Sequence, residues 1–155
     1  MKLFPTILLL FFITLMVDVL SYEWDSDELE CVEKLNIPKS VVEDNHPFQK
    51  TSPEDNTDLN KYYECMWKKS GYLHEDGTFD WDKMLDFFVE LQQEDVEKNK
   101  SDSDETLVAN LAITYVKGVI NTCRNKHIHG DTHGETAVKV HNCLVEEFDK
   151  TKFED

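Results

Sequence analysis

Basic residues are scarce in this chain. Its 155 residues include 16 lysines and arginines against 32 aspartates and glutamates, which gives a formal net charge of -16. Proteins that bind nucleic acid replace phosphate counterions with clustered basic side chains, and anionic membrane surfaces attract basic segments in the same way. The composition therefore argues against nucleic acid and against an anionic membrane surface as partners.

Catalytic and metal-binding motifs are missing as well. The chain has no G-x-S-x-G nucleophile elbow, no H-E-x-x-H zinc motif and no glycine-rich phosphate loop. No two cysteines have the C-x-x-C spacing that structural zinc sites favour. We therefore predict a protein that is not an enzyme and that uses no metal and no cofactor.

The longest apolar run lies at the start of the chain. Lys2 precedes a mostly apolar run over residues 3–17. This run is shorter than the about 20 apolar residues that span a bilayer, and no basic stop-transfer flank follows it. We interpret residues 1–21 as a signal peptide cleaved after the small residue Ser21, which leaves residues 22–155 as one secreted, extracellular domain without stable membrane insertion.

Four cysteines belong to this domain, namely Cys31, Cys65, Cys123 and Cys143. Secretion places them in an oxidising compartment, where an even set of cysteines in a small domain predicts disulfides. Four cysteines allow three pairings, and sequence arithmetic does not choose among them. Two bridges between neighbours in the chain would each constrain the unfolded state by roughly 3–4 kcal/mol on the loop-entropy account.

Every long apolar pattern in the domain has a helical period, and no strand alternation is evident. The expected N-caps of four of the helices are Ser26, Thr57 or Asp58, Asp80, and Thr132. Thr132 and Glu135 have the spacing of a capping box. A short helix is expected over residues 39–44, and residues 107–123 are apolar on most sides, which favours a central buried helix. The fold class is therefore all-α, with about six helices.

The segment that begins at Cys65 is the most specific motif. Residues 65–77 read CMWKKSGYLHEDG, in which a helical cysteine precedes two lysines, a glycine and an Asp-Gly loop. Together with the early helical Cys31, this segment resembles the insect odorant-binding proteins, the family of pheromone-binding and general odorant-binding proteins. The resemblance covers nearly all of residues 22–155. It implies a compact helical bundle around a hydrophobic cavity.

Two cysteines of the usual six-cysteine family pattern are missing together. Lys61 and Gly134 occupy their positions. Because these two cysteines pair with each other in the family, their joint loss leaves no unpaired thiol, and the chain resembles the four-cysteine "minus-C" type. The resemblance implies two bridges, Cys31 with Cys65 and Cys123 with Cys143. Without the third bridge, we expect the junction between the third and last helices to be looser.

The resemblance also implies that apolar side chains of the last three long helices enclose a ligand. Each of these side chains alone is more typical of ordinary core, since ligand pockets and cores are both mostly apolar. The candidate ligand-binding residues are Met84, Phe87, Phe88, Leu91, Leu111, Tyr115, Val119, Val140, Leu144 and Phe148. The Tyr115 hydroxyl would either orient a ligand or bond to backbone. The C-terminal piece around Phe153 would either cover a pocket mouth or fray.

Histidines concentrate in one segment, residues 127–133, which reads HIHGDTH. Imidazoles bind ions such as zinc and copper, but the neighbouring Arg124 and Lys126 oppose a cation, so a solvated loop is the better interpretation. Histidines also change charge near neutral pH, which leaves pH sensing as a third interpretation. His141 lies on an apolar helix face and is typical of a core histidine.

These observations favour a binding protein over an enzyme. The leading hypothesis is a secreted carrier of a small hydrophobic ligand, such as an odorant, a pheromone or a lipid-like molecule, with a membrane receptor as a further partner. We expect a monomer or a weak dimer, and Asn99, in an N-x-S sequon, is a candidate glycosylation site. One alternative is an extracellular scavenger of biogenic amines or lipids in haemolymph, saliva or reproductive fluid. The other is a secreted protein-protein interaction or defence protein without a ligand cavity.

Overall fold

The computed structural model describes residues 22–45, 50–98 and 103–150, apart from the side chains of residues 92–98 and 103–109. The described part of the chain folds into six α-helices and, apart from an isolated antiparallel bridge between Leu73 and Phe79, contains no β-structure. The helices are α1 Ser26–Leu35, α2 Lys39–Glu43, α3 Thr57–Lys69, α4 Trp81–Lys98, α5 Ser103–Asn125 and α6 His133–Asp149. The prediction of an all-α fold with about six helices is confirmed.

Three predictions fall outside the described residues. They concern the signal peptide over residues 1–21, the sequon at Asn99 and the tail around Phe153. Among the helices that the structure does describe, none combines the length and the hydropathy that a membrane span requires.

Two helices begin one or two residues earlier than the sequence predicted. Asp25, not Ser26, caps α1, because its carboxylate accepts a hydrogen bond of 2.8 Å from the Glu28 N–H. The Glu28 carboxylate in turn accepts one of 3.1 Å from the Asp25 N–H, which completes a capping box. Asn56, not Thr57 or Asp58, caps α3 with its side-chain oxygen. In both cases a good capping side chain stands just upstream of the predicted one.

The other two predicted caps are found. Asp80 precedes α4, and its carboxylate accepts from the Lys83 N–H at 2.9 Å. Thr132 caps α6 and accepts from the Glu135 N–H at 3.0 Å. The Glu135 carboxylate, however, bonds to the Asp131 N–H at 2.9 Å, so the reciprocal bond of the predicted capping box is displaced by one residue.

The centre of the bundle is α6, not the apolar helix over residues 107–123. Ten of the 17 residues of α6 are buried. In α5, by contrast, Leu111 is 61% exposed. The reason is position: α6 packs against α3 on one side and α5 on the other, whereas α5 lies between α6 and α4 and leaves its outer side to solvent. The expectation of a central buried helix at 107–123 was therefore wrong.

Packing follows the order α1, α3, α6, α5 and α4. The α1 and α2 helices rest on α3, α3 packs along α6, and α5 joins the other side of α6. The α4 helix lies at the edge of the bundle and approaches the rest mostly through α5. An ion pair of 3.0 Å between Arg124 and Asp82 joins the last turn of α5 to the first turn of α4.

Two disulfides cross these interfaces. Cys31 bonds to Cys65 and joins α1 to α3, and Cys123 bonds to Cys143 and joins α5 to α6, with Cα–Cα distances of 5.9 Å in both. These are the two pairs that the family resemblance implies. The described part of the chain contains no free cysteine.

The junction between α3 and α6 has no bridge but is closed by backbone contact. A Cβ atom built on Gly134 would lie 2.4 Å from the Asn60 carbonyl oxygen, a distance that no side chain tolerates without a shift. Lys61, which follows Asn60 in α3, is exposed to solvent. A glycine at position 134 thus lets α6 approach α3 closely. This contact gives no support to the looser junction that the missing bridge led us to expect.

Candidate functional site

The structure separates the ten predicted ligand-binding residues into three groups. The buried residues, each at most 4% exposed, are Met84, Val119, Val140 and Leu144. The half-buried residues are Phe88, Tyr115 and Phe148. The exposed residues are Phe87 at 42%, Leu91 at 41% and Leu111 at 61%. The first group belongs to the buried core, and the other two lie on α4, α5 and the last turns of α6.

We call the exposed and half-buried groups together the hairpin face, after the antiparallel pair of α4 and α5 that carries most of them. It consists of Phe87, Phe88 and Leu91 on α4, Leu111 and Tyr115 on α5, and Phe148 on α6. Ring centroids are 5.5 Å apart between Phe87 and Phe88, 5.7 Å between Phe88 and Phe148, and 5.9 Å between Phe148 and Tyr115. Aromatic contact is therefore continuous from the solvent side of α4 to the last turns of α6.

Exposure of the hairpin face has an energetic consequence. Full burial of one Leu or Phe side chain stabilises a fold by about 1.5–3 kcal/mol. Phe87, Leu91 and Leu111 forgo much of that stabilisation. Phe87 and Leu91 are one turn apart on α4, and Leu111 lies on α5, which packs along α4. Adjacent exposed apolar side chains of this kind mark ligand or protein contact sites.

The Tyr115 hydroxyl is engaged by the protein itself. It lies 3.0 Å from the Glu147 carbonyl oxygen and 3.2 Å from that of Phe148, and it donates to this pair. Carbonyls in the last turn of a helix lack intrahelical donors. Of the two predicted roles for Tyr115, the structure therefore supports the tyrosine bonded to backbone. It holds α5 against the end of α6.

A buried polar network that sequence reasoning missed fixes the loop before α3. The Asn142 side chain accepts from the Ser52 N–H at 2.7 Å and donates to the Ser52 carbonyl at 2.9 Å. The Ser52 and Tyr63 hydroxyls are 3.1 Å apart. Since the bonded residues are 90 positions apart, no local sequence signal marks them.

His141 belongs to the same network. Its side chain is fully buried, its Nδ1 lies 3.2 Å from the Asn142 Oδ1, and its ring lies 4.8 Å from the Tyr63 ring. Because the Asn142 Oδ1 is an acceptor, Nδ1 carries the proton of the neutral imidazole. Burial lowers the pKa of His141 to about 4. His141 is thus a core histidine, as predicted.

A second unforeseen cluster holds the first described residues. One oxygen of Glu28 accepts from the Tyr22 hydroxyl at 2.5 Å and from the Tyr62 hydroxyl at 2.6 Å. Burial, followed by the bond to Glu28, raises the pKa of both tyrosines well above the ordinary value. The phenols therefore stay protonated and anchor residue 22 to α1 and α3.

The structure does not bring the three imidazoles of residues 127–133 together at one site. His133 packs against Gly77, where an added Cβ would lie 2.4 Å from the ring, and its Nδ1 is 3.8 Å from the Glu64 carboxylate. His127 and His129 are exposed. Within residues 22–45, 50–98 and 103–150, no group of three or more His, Cys, Asp or Glu side chains is placed to hold a metal ion.

Two surface grooves flank the exposed side of α3. The acidic groove, of about 610 Å³, lies between α3 and α6, and its charged lining residues are Glu54, Asp55, Lys61, Glu64 and Glu135. The lysine groove, of about 550 Å³, lies between α1 and α3 and is lined by Lys34, Leu35, Lys61, Glu64, Cys65, Lys68, Lys69 and Glu75. Lys61 and Glu64 line both grooves. The spacing of Lys61, Cys65, Lys68 and Lys69 along α3 is a signal from which sequence reasoning could have found the second groove.

Comparison with known proteins gives a match over most of the chain. A family model described as the PBP/GOBP family matches residues 20–147. No curated protein and no solved structure gives a significant match. The matched range contains both disulfides, both grooves and all six helices except for the last two residues of α6.

Proposed function

The chain belongs to the PBP/GOBP family, and from this premise we propose that it is a secreted, non-enzymatic carrier of a small hydrophobic ligand. Its four cysteines in two disulfides fit the minus-C type of insect odorant-binding proteins. Odorants, pheromones and lipid-like molecules are the ligand classes that this membership favours. A membrane receptor that accepts the ligand from the carrier is the expected further partner.

The hairpin face is the observation that carries this proposal. Along this face α4 packs closely on α5 but reaches α6 through aromatic rings, with Phe88 against Phe148. An apolar ligand that enters among these three helices would shield the side chains that now face water. The driving force is desolvation of the ligand and of the face together. The ten candidate ligand-binding residues stay a proposal in this form, with the buried four supporting the walls from behind.

Secretion and processing are part of the same proposal. Disulfides form and persist in oxidising compartments, which supports an extracellular location. Removal of residues 1–21 would leave Tyr22 first in the mature chain, and Asn99 would carry a glycan if its sequon is used. Native mass spectrometry of protein from its source would report the mature mass, the glycan, the bound ligand and the assembly, for which we propose a monomer or a weak dimer.

The acidic groove favours a second candidate, the scavenger of cationic amines. It has four carboxylates, and Lys61 is the one basic side chain among its lining residues. Calorimetry with a primary amine and with a neutral lipid separates the two candidates. A carrier of hydrophobic ligands binds the lipid more tightly, and a scavenger of amines binds the amine more tightly.

A displacement experiment tests the carrier directly. Correctly oxidised protein should bind the neutral probe N-phenyl-1-naphthylamine at micromolar concentration, and odorants or fatty alcohols should displace it. Phe88→Ala should weaken probe binding about tenfold, because it opens the contact between α4 and α6.

Phe79→Ala is the matched control for this variant. Phe79 is also half-buried, but its ring packs against Trp67 at 5.4 Å and Trp81 at 5.5 Å, away from the hairpin face. This variant should keep the affinity of the wild type. Circular dichroism checks that both variants are folded, and failure of the oxidised wild type to take up displaceable probe would overturn the proposal.

A further inference from the structure

The lysine groove has more lysines than carboxylates among its lining residues. The chain as a whole has twice as many acidic as basic residues. The lining of this groove has four lysines, Lys34, Lys61, Lys68 and Lys69, against the two carboxylates Glu64 and Glu75. A local excess of lysines favours an anion over a cation at this place, and it depends on those lysines that the neighbouring carboxylates leave without a close partner.

Carboxylates already satisfy two of these lysines. Lys68 lies 3.0 Å from Glu64 and 2.8 Å from Glu75, and Lys69 lies 2.6 Å from Glu30. Both stand in the last turn of α3, where the helix dipole also favours a cation. The positive charges of Lys68 and Lys69 are therefore largely neutralised by carboxylates of the protein itself.

The other two lysines of the lining, Lys34 and Lys61, have weaker ion pairs or none among the described residues. Lys34 has no ion-pair partner among the residues that the structure describes, and Lys61 has only Asp58, at 3.4 Å with both side chains about half exposed. Exposed pairs of this kind contribute little. The field of Lys34 also reaches into the groove: after Lys68 and His133, it is among the groups that lower the pKa of Glu75.

The floor between these lysines includes apolar atoms. Leu35, in the last turn of α1, and Cys65, bonded to Cys31, both line the groove and are partly accessible. A volume of about 550 Å³ is large enough for a molecule with a chain of several carbons. The groove thus combines cations at its rim with a short apolar surface below them.

We propose that the lysine groove is a second binding site, separate from the hairpin face, for a small organic anion. The carboxylate of the ligand pairs with Lys34 and Lys61, and its apolar body lies on Leu35 and Cys65. An amphiphilic carboxylate fits this site, whereas the matching alcohol lacks the group that the lysines recognise.

Nuclear magnetic resonance titration with octanoate and with 1-octanol tests the site. Octanoate should shift the backbone amide signals of Leu35, Lys61 and Cys65, and octanol should leave them unmoved. In the double variant Lys34→Gln/Lys61→Gln, the affinity for octanoate measured on these signals should fall by at least about threefold.

The control is a second double variant, Lys83→Gln/Lys117→Gln. Both of these lysines are exposed and lie outside the groove lining, and their substitution removes the same two positive charges. It should keep the wild-type affinity. Equal weakening in the two double variants, or none in either, would overturn the proposal, because the response would then come from net charge or from a different site.

A gain of affinity gives an independent test. Glu75→Gln removes the closer of the two carboxylate partners of Lys68 and frees part of that charge for the ligand. Affinity for octanoate should rise, by up to about fivefold. An unchanged or lower affinity contradicts the assigned site.

The outcome is distinguishable from that of the carrier function. N-phenyl-1-naphthylamine reports on the hairpin face, and its affinity should be the same in Lys34→Gln/Lys61→Gln as in the wild type. Loss of octanoate response with normal probe binding supports the second site, and loss of both in this variant contradicts its separation from the first.

Discussion

The buried imidazole of His141 links the stability of the fold to pH. Its pKa is about 4 in the folded protein against the ordinary 6.5, and burial is the main cause. In the unfolded chain the ring takes up a proton near pH 6.5, so acidification below that value favours unfolding. The stability that the neutral His141 contributes is fully present above pH 6.5 and is lost as the pH falls through about 4, with an upper limit of about 3–4 kcal/mol.

This loss can be measured by urea unfolding at pH 7 and pH 4.5. The free energy of unfolding of the wild type should fall between these values by about 2–3 kcal/mol more than that of His141→Gln, which cannot titrate. His127→Gln is the control, since this histidine is exposed and should leave the wild-type fall intact. The same fall in the wild type and in His141→Gln would contradict the assignment.

Single residues also show where sequence reasoning ends. Asp25 and Asn56 cap their helices one or two positions before the predicted caps, because a run of adjacent polar residues does not reveal which one leaves the helical conformation. Asn142 and Ser52 meet only when α6 and the loop before α3 are folded together. Such tertiary bonds are invisible to periodicity.

At the scale of helices, the predictions worked where a helix has one apolar face and failed where neighbours decide burial. The apolar period indicated the long helices, whereas the family resemblance implied which cysteines join them. It did not show that α6 lies between two helices while α5 exposes Leu111. The exposed part of the hairpin face was predicted as interior for the same reason.

The α3–α6 junction offers a prediction at this scale. Gly134→Ala should destabilise the protein by about 1–3 kcal/mol, because the new methyl group would meet the rigid Asn60 backbone at 2.4 Å. Gly118→Ala is the matched control in α5, where an added Cβ meets nothing within 4 Å, and it should stabilise by up to about 1 kcal/mol. Denaturant unfolding of both variants checks the opposite signs. Equal effects would show that helix propensity, not close approach, governs position 134.

The same contact changes what a restored third bridge should do. A cysteine at Gly134 would have to push α6 away from Asn60 before it bonded to a cysteine at Lys61. Amide exchange around these residues should therefore be no faster in the wild type than in the Lys61→Cys/Gly134→Cys variant. Faster exchange in the wild type would restore the looser junction that the missing cysteines first indicated.

On the scale of the whole molecule, the two disulfides stabilise different parts of the bundle. Cys31–Cys65 closes a sequence separation of 34 residues and ties α1 to α3, beside the lysine groove. Cys123–Cys143 closes a separation of 20 and ties α5 to α6, two of the three helices that form the hairpin face. The loop-entropy account gives both a similar weight, about 3–4 kcal/mol. Their loss should therefore affect stability alike and binding differently.

Paired serine variants measure this difference. Cys123→Ser/Cys143→Ser should lower the free energy of unfolding and also weaken N-phenyl-1-naphthylamine binding. Without this bridge, the hydrogen bonds of the Tyr115 hydroxyl remain as a polar link between α5 and the end of α6 at the hairpin face. Cys31→Ser/Cys65→Ser should lower stability by a similar amount but keep the probe affinity, measured under conditions where both variants are folded. If both variants lost binding in proportion to stability, the probe would be reporting global folding. If only the second lost it, the ligand would lie between α1 and α3, and the carrier site proposed on the hairpin face would be wrong.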